Sequence, residues 1–466
     1  MTHSSPPVVA ALAAGFRAAG VRICANHPGF HSHTLAAALG GTVTSRSERS
    51  AMEFGWGASL AGARTVVTLK NVGLNDAADP FINSLFVGCH GGLVVTVFDD
   101  IEIEQSQLRL DSRMYALEHG GIWVEPRSVA DAGRWAARSF DLAEQFGAPV
   151  VIRITNILCH AAEGAGPVGE VAYGHRSFLR SPARWVVHPA NVASLRELQA
   201  ARLARIQAWS DAEPFACGSL AANQPLTLVF GAAPSGERAS ENWVAVDRLP
   251  LPAGVIDAAR RAQHVTVREH GHGYVAAAVG RAMAGESVES APFFMPDLPR
   301  VYHKRNWYEP LFGALRRIPD RIVIGDLGSH TMDEHRTIDA CLCYGGSVSV
   351  AAGVAAAAPA LRVICVRGDG GFAHSGAAGL AEMVDRGLTV VVFVMDNGGC
   401  QDTGGQWVSC DWPQSSKGLR IVDREYGASR PCPVDEIKGW FAAGGVTVVR
   451  CRFPDVWPSS SREMQR

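Results

Sequence analysis

Residues 362–406 read RVICVRGDGGFAHSGAAGLAEMVDRGLTVVVFVMDNGGCQDTGGQ, and this stretch decides the fold. Val363 to Val366 is a short apolar strand. Gly368-Asp369-Gly370-Gly371 turns the chain, and His374 to Arg386 reads as a helix with Leu380, Met383 and Val384 at core spacing. Leu388 to Met395 is a continuous apolar, β-branched run with the length of a fully buried parallel strand. It ends in Asp396-Asn397-Gly398-Gly399. The pattern predicts two neighbouring parallel strands that carry Asp369 and Asn397 to one carboxyl edge, where open α/β sheets bind ligands.

The residue types at that edge suit a metal-bound diphosphate. A carboxylate from Asp369 and an amide oxygen from Asn397 are hard donors for Mg²⁺, which takes few protein ligands and fills its shell with water and phosphate oxygens. The glycines let backbone N–H groups approach an anion, and the helix after Gly371 aims its N-terminus at the same point. Gly-Asp-Gly alone is an ordinary turn. The inference rests on the turn, the strand-helix-strand and the terminal Asn together, and the alternative is a Gly-rich crossover with no ligand.

At 466 residues the chain is too long for one core and predicts two to four domains. A net charge of −2 gives no reason to expect a nucleic-acid partner. The start MTHSSPPVVAAL lacks a basic region before an apolar core, so no signal peptide is expected. No apolar run reaches the ~18 residues of a membrane span. The 11 cysteines include no CxxC pair, Cys341 and Cys343 being one residue apart. That usage predicts reduced thiols and a cytoplasmic protein.

From residue 6 to about 158 helix and strand alternate: helix Val8 to Ala19, strand Val21 to Ala25, a helix from Ser50 to Ala61, strands Ala63 to Leu69 and Leu93 to Phe98, helix Val129 to Phe146, strand Pro149 to Ile154. Such alternation means a mostly parallel, doubly wound sheet. Glu48 opens a Gly- and Ala-rich helix, where a first-turn carboxylate is often there only for the helix dipole. His27, His31 and His33 sit on a strand-to-helix turn, suited to acid/base or substrate contact more than to metal. The stretch 160–223 reads as a connector with a basic amphipathic helix from Ala193 to Trp209. Strands at Leu226 to Phe230 and His264 to Arg268 and a helix at Gly273 to Ala284 form a smaller unit, with His270 and His272 on a surface loop. A Pro- and aromatic-rich linker leads to the strand RIVIGDLG, starting near Arg321, and to a small-residue helix after Tyr344. The fold class is α/β, with two doubly wound parallel-sheet domains flanking a smaller α/β domain: 1–160, a connector 161–224, 225–290, a linker 291–320, and 321–466.

The stretches ERSAMEFGWGASLAGARTVVTLKNVGLN, ADPF, DSRMYA, DACLCYGG, GDGGFAHSG and MDNGGCQDTGGQ fall across both end units. In them the chain resembles thiamine diphosphate (ThDP) dependent enzymes, and among these the large (α) subunit of indolepyruvate ferredoxin oxidoreductase. The resemblance covers nearly the whole chain and implies a pyrimidine-type domain first and a diphosphate-type domain last. It implies that Glu48 hydrogen-bonds the aminopyrimidine of ThDP and so activates the cofactor. It implies that Tyr344 props the cofactor into its bent form, and that Asp369, Asn397 and the Gly399 carbonyl hold Mg²⁺. Gly345, Gly368, Gly370, Gly371, His374, Ser375 and Thr403 are the remaining expected cofactor contacts. A homodimer is implied, with each site at the interface and Glu48 and Asp369 drawn from different chains.

Three departures shape the expected activity. The family's large subunit normally continues into a ferredoxin-like module with two cysteine clusters, and the residues up to Arg466 contain none. The family's substrate turn reads His27-Pro28-Gly29-Phe30-His31-Ser32, with Phe30 and His31 in place of Thr and Pro. Asn71 stands where His is frequent. The expectation is therefore a non-oxidative 2-oxo acid decarboxylase or carboligase, releasing an aldehyde or adding to a second carbonyl to give an acyloin. Its donor is arylpyruvate-like by analogy with the family, and Phe30, His31 and Asn71 face the substrate. One rival is an oxidoreductase subunit whose iron–sulfur clusters sit on another chain. The other is a non-enzymatic partner that keeps the fold, against which intact Glu48, Asp369 and Asn397 count.

Overall fold

Buried apolar runs become the centres of three sheets in the computed structural model, which describes residues 5–456 except 42, 168, 170–172, 175, 234–240, 285–305 and 401–405. The first sheet begins with β1 (Ile23–Asn26), β2 (Thr65–Lys70), β3 (Leu93–Asp99), β4 (Ile122–Val124) and β5 (Val150–Thr155). The middle sheet contains β6 (Ala216–Cys217), β7 (Pro225–Phe230) and β8 (Trp243–Val246); β9 (Arg248–Leu249) returns to the first sheet, and β10 (His264–Glu269) completes the middle one. The last sheet holds β11 (Arg321–Gly325), β12 (Arg362–Gly368), β13 (Val390–Met395), β14 (Leu419–Glu425) and β15 (Val446–Arg452). The orders are β1-β2-β3-β5-β4-β9, β10-β7-β8-β6 and β11-β12-β13-β15-β14. All pairs are parallel except β4–β9 and β6–β8. This is the expected α/β architecture of two parallel-sheet units and a smaller third. Strands β2, β3, β5 and β13 are buried along their full lengths, which is why they read as unbroken apolar runs.

Two helices join the end units. Glu48–Leu60 crosses Ser347–Ala357 so closely that a Cβ on Gly57 would lie 2.1 Å from Val350 O, and one on Gly353 1.9 Å from Phe54 O. Both contacts are with backbone, so only glycine permits this approach. The middle unit is tied to the first by a buried ionic network. Arg153, 1% exposed, donates to Asp99 (2.6 Å), Glu125 (2.5 Å) and the His270 carbonyl (2.9 Å). Arg113 pairs with Asp111 (2.6 Å) and Glu269 (2.8 Å). His270 is therefore no free surface residue: its Nε2 also lies 2.7 Å from Glu102, and its side chain is 13% exposed. The basic stretch from Ala193 to Trp209 is helical as expected, within Pro189–Ala212, and its Arg202 is buried against the carbonyls of Leu85 and Phe86 at 2.6 Å each. No helix among the described residues is long and apolar enough to cross a membrane.

Candidate active site

β12 and β13 pair in parallel with Gly368 opposite Met395, so the turns after them sit side by side. The Asp369 carboxylate lies between those turns. Its Oδ1 accepts from Gly370 N at 2.8 Å and its Oδ2 from Gly398 N at 2.7 Å. Burial pushes its pKa up to about 6, against the pull of these backbone donors. Gly398 has φ +84°, in the left-handed region that a side chain resists, and this conformation aims its N–H at Asp369. Next to it, Asn397 Oδ1 is buried without a hydrogen-bond partner among the described residues. An orphaned amide oxygen costs free energy unless something binds it. A buried carboxylate beside an unpartnered amide oxygen is an oxygen donor set that fits Mg²⁺.

These residues line a cavity of about 330 Å³. Its lining includes Gly368, Asp369, Gly370, Gly371, Asn397, Gly399 and Tyr344, together with Tyr308, Leu327, His330, Met332, Val187 and Pro189. Glycine-rich backbone and a metal donor set beside it fit a diphosphate. The helix after Gly371 begins with a π-helical turn, Phe372–Gly376, before Ala377–Asp385 continues it. His374 and Ser375 pack around the Tyr344 turn and are not part of the cavity lining. Ser375 Oγ donates to Gly345 O at 2.8 Å, and the His374 ring stands edge-on to Tyr344 at 5.1 Å. Thr403 lies outside the described residues.

The sequence reading missed what holds the Tyr344 turn. Asp326, at the end of β11, accepts from Gly345 N (2.8 Å) and Ser347 Oγ (2.9 Å) and pairs with Arg367 at 3.0 Å, both side chains fully buried. The visible signal was a carboxylate at the end of an apolar strand, in RIVIGDLG. It also missed His330, buried in the cavity wall. Burial lowers the His330 pKa to about 4, so the ring is neutral, and its Nε2 has no partner among the described residues.

Glu48 opens its helix as expected, but Ser47 does the capping, accepting from Ser50 N. Among the described residues the Glu48 carboxylate makes no hydrogen bond, and it lies against Gly73, where a Cβ would be 2.5 Å from its Oε1. It is not among the cavity's lining residues. Its neighbour Arg49 reaches that wall, donating to Tyr344 O at 2.6 Å. Glu53, one turn on, is 1% exposed and pairs with Arg49 at 2.8 Å. Burial drives the Glu53 pKa up to about 7, with Arg49 pulling the other way.

The substrate-turn residues gather on the carboxyl edge of the first sheet. Phe30, at φ +33°, is buried, and its ring lies 4.2 Å from that of His31. His31 is half-buried, which lowers its pKa; Glu104 raises it, while His33 and His160 lower it. His27 Nδ1 is 2.9 Å from Ser45 O, and His33 is exposed. Asn71 has a structural role. It is fully buried, its Nδ2 donates to Leu110 O at 2.8 Å, and its Oδ1 accepts from Val72 N at 2.9 Å. One of its two amide donors thus anchors the 100–110 segment, and its oxygen accepts from the first turn of its own helix.

The chain is similar to known proteins. Residues 326–452 match the family described as thiamine pyrophosphate enzyme, C-terminal TPP binding domain. The indolepyruvate oxidoreductase subunit IorA of Archaeoglobus fulgidus is 27% identical over 85% of this chain and 75% of its own length. That of Thermococcus kodakarensis is 23% identical over 94% and 80%. A solved structure of a thiamine diphosphate-dependent 4-hydroxybenzoylformate decarboxylase from Rhodococcus jostii RHA1 shares the fold, with TM-score 0.53 and 16% identity over 96% of this chain and 99% of that one. Residues 326–452 thus match a thiamine pyrophosphate-binding domain, and the chain as a whole is similar to the indolepyruvate oxidoreductase subunit IorA.

Proposed function

We propose that the protein is a ThDP- and Mg²⁺-dependent enzyme that decarboxylates a 2-oxo acid without oxidation and either releases an aldehyde or joins the fragment to a second carbonyl. The observation that carries the cofactor reading is the buried Asp369 carboxylate beside the orphaned Asn397 Oδ1 on a glycine-lined cavity. Bound ThDP supplies the carbon nucleophile and the electron sink that decarboxylation needs. Asp369, Asn397 and the Gly399 carbonyl hold the metal, and Gly368, Gly370 and Gly371 with the Thr403 region hold the diphosphate. Tyr344, fixed through Gly345 by Asp326 and Ser375, supports the cofactor. Glu48 would hydrogen-bond the aminopyrimidine, and His31 would exchange a proton with substrate through its ring, next to Phe30. The stretch 1–160 serves as the pyrimidine-type domain, 225–290 as the middle domain and 321–466 as the diphosphate-type domain.

The donor is an arylpyruvate-like 2-oxo acid, a reading supported by the names of the IorA relatives and of the 4-hydroxybenzoylformate decarboxylase. The IorA similarity also favours a second reading, an oxidoreductase subunit whose iron–sulfur clusters sit on a partner chain. The homodimer expected from the resemblance belongs to the proposal. The Arg49–Tyr344 contact, by contrast, is made within one chain. Sedimentation at assay concentration decides between one chain and two. Purified protein mixed with ThDP, Mg²⁺ and a panel of 2-oxo acids, followed by CO₂ release and mass spectrometry of products, tests the activity. Aldehyde or acyloin without an added acceptor supports the leading reading, and turnover only with ferredoxin or a viologen replaces it with the second.

A further inference from the structure

Behind the cavity four side chains stack in a row. The Arg367 guanidinium carbon is 5.6 Å from the centre of the Phe372 ring. That ring stacks on Trp412 with centroids 5.7 Å apart and planes 13° from parallel. The Arg450 guanidinium carbon sits 4.5 Å from the centre of the other aromatic ring, that of Trp412. Each end of the row is tied to a loop of the site. Arg367 pairs with Asp326, which holds Gly345 N and so the Tyr344 turn. Arg450 Nε donates to Asp396 Oδ2 at 2.8 Å, and Asp396, 8% exposed, immediately precedes Asn397. Arg452 reaches the same oxygen at 3.5 Å. Phe372 itself follows Gly371, in the turn that carries Asp369.

Trp412 alone in this row comes from outside the strand ends and the turns that follow them. It belongs to 406–417, a largely irregular stretch that Cys400 N binds through Gln406 O at 2.9 Å. The same stretch lays Val408 over Gly370, where a Cβ would stand 3.8 Å from Val408 Cγ2. Without Trp412 the phenyl ring of Phe372 and the guanidinium of Arg450 lose the surface between them. The Asp369 turn and the Asp396-Asn397 turn are then still joined by the β12–β13 pairing of Gly368 with Met395 and by backbone donors from Gly398 and Gly399 to Asp369, but no longer through the side-chain stack.

The geometry points to Trp412 as a positioning residue, the rung that fixes the distance between the Asp369 turn and the Asn397 turn and so sets the metal donor geometry. This rests on the reading of the cavity as a ThDP–Mg²⁺ site. A metal that demands near-octahedral oxygen positions responds to small displacements of its ligands, whereas overall folding, carried by the buried strands, does not.

The test is calorimetric titration of the full chain with ThDP at fixed Mg²⁺, and with Mg²⁺ at fixed ThDP, for wild type, Trp412→Phe, Trp412→Ala and Arg450→Met. Loss of a stacked aromatic and a cation–π contact predicts roughly tenfold weaker binding in Trp412→Ala. Trp412→Phe keeps a ring in the row and stays within about threefold of wild type. Arg450→Met weakens binding when Trp412 is present and has no further effect in Trp412→Ala. The cofactor-free protein still melts cooperatively, with a modestly lower midpoint in Trp412→Ala because the stack is present without cofactor. Equal affinities for wild type and Trp412→Ala overturn the inference, as does a Trp412→Ala defect confined to cofactor-free stability. Should Trp412→Ala fail to fold, Arg450→Met and Trp412→Phe decide: wild-type binding in Arg450→Met overturns the inference. Wild-type protein that binds ThDP with no Mg²⁺ dependence overturns the underlying reading instead.

Discussion

Arg49 donates a hydrogen bond to the main-chain carbonyl of Tyr344 at 2.6 Å, and this contact joins the first sheet's glutamate helix to the wall of the cavity in the last. The same guanidinium pairs with Glu53 at 2.8 Å and Asp79 at 2.8 Å. Removing it leaves the Glu53 carboxyl buried with one fewer partner. Arg49→Ala is expected to cost roughly 3 kcal/mol, in the range for breaking a buried pair. Arg49→Ala/Glu53→Gln recovers much of that loss, because a neutral amide tolerates burial better than a carboxylate. Thermal midpoints of the three variants check it, and a double variant no more stable than Arg49→Ala refutes the account.

Glu53 also predicts a pH dependence. Burial raises its pKa from 4.5 to about 7, opposed by Arg49 and by the Ser349 hydroxyl, with Asp326 adding to the rise. Between those two values the folded protein keeps a proton that the unfolded chain has lost. The contribution to stability is therefore present in full below about 4.5 and declines as pH rises to about 7. Glu53→Gln removes this decline. Melting curves from pH 4.5 to 8 should show a flatter profile for the variant; parallel profiles contradict the assignment.

The metal donors and the Glu48 carboxylate should fail differently. Asp369→Ala removes the buried anionic oxygens between the two turns, and ThDP–Mg²⁺ binding weakens at least tenfold, the loss expected for a hydrogen-bonded charged group. Glu48→Gln keeps binding close to wild type and slows exchange of the thiazolium C2 proton by roughly 10²-fold or more. Calorimetry and proton-exchange NMR separate the two. Unchanged exchange in Glu48→Gln removes Glu48 from the chemistry.

Much of the scaffold was legible because it is buried on both faces. Val390–Met395 and Thr65–Lys70 read as strands from apolar continuity alone, and the Asp369 and Asn397 turns followed from where those strands end. Strand Leu419–Glu425 escaped because it is a half-exposed edge strand, LRIVDRE, with charges among its apolar residues. Ile122–Val124 is only three residues long. Val187 and Pro189 reach the cavity from a segment whose composition says connector; a backbone bond from Val187 N to Cys341 O (2.8 Å) holds them there, and no local pattern encodes that. The structural bond of Asn71 was hidden for a similar reason, since its partner, Leu110 O, is 39 residues away.

His31 gives the prediction with the sharpest pH signature. As a proton donor to substrate it must carry charge, yet half-burial lowers its pKa below the usual 6.5, with Glu104 only partly offsetting this. At pH 7 the ring is mostly neutral, so a donor role makes the His31-dependent part of the rate grow as pH falls below 6.5. An acceptor role gives the opposite slope. His31→Ala should lower product formation by roughly 10²-fold with cofactor affinity little changed, the lower end for losing a positioned acid or base. Phe30 is buried against the His31 ring, so Phe30→Thr should shift the range of 2-oxo acids accepted more than it changes C2 proton exchange. The measurement is kcat against pH for wild type and His31→Ala over pH 5 to 8. A ratio of the two that is constant near one across the range would assign the proton transfer to another group. A ratio that varies gives the direction of transfer: rising toward acid for a donor, toward neutral for an acceptor.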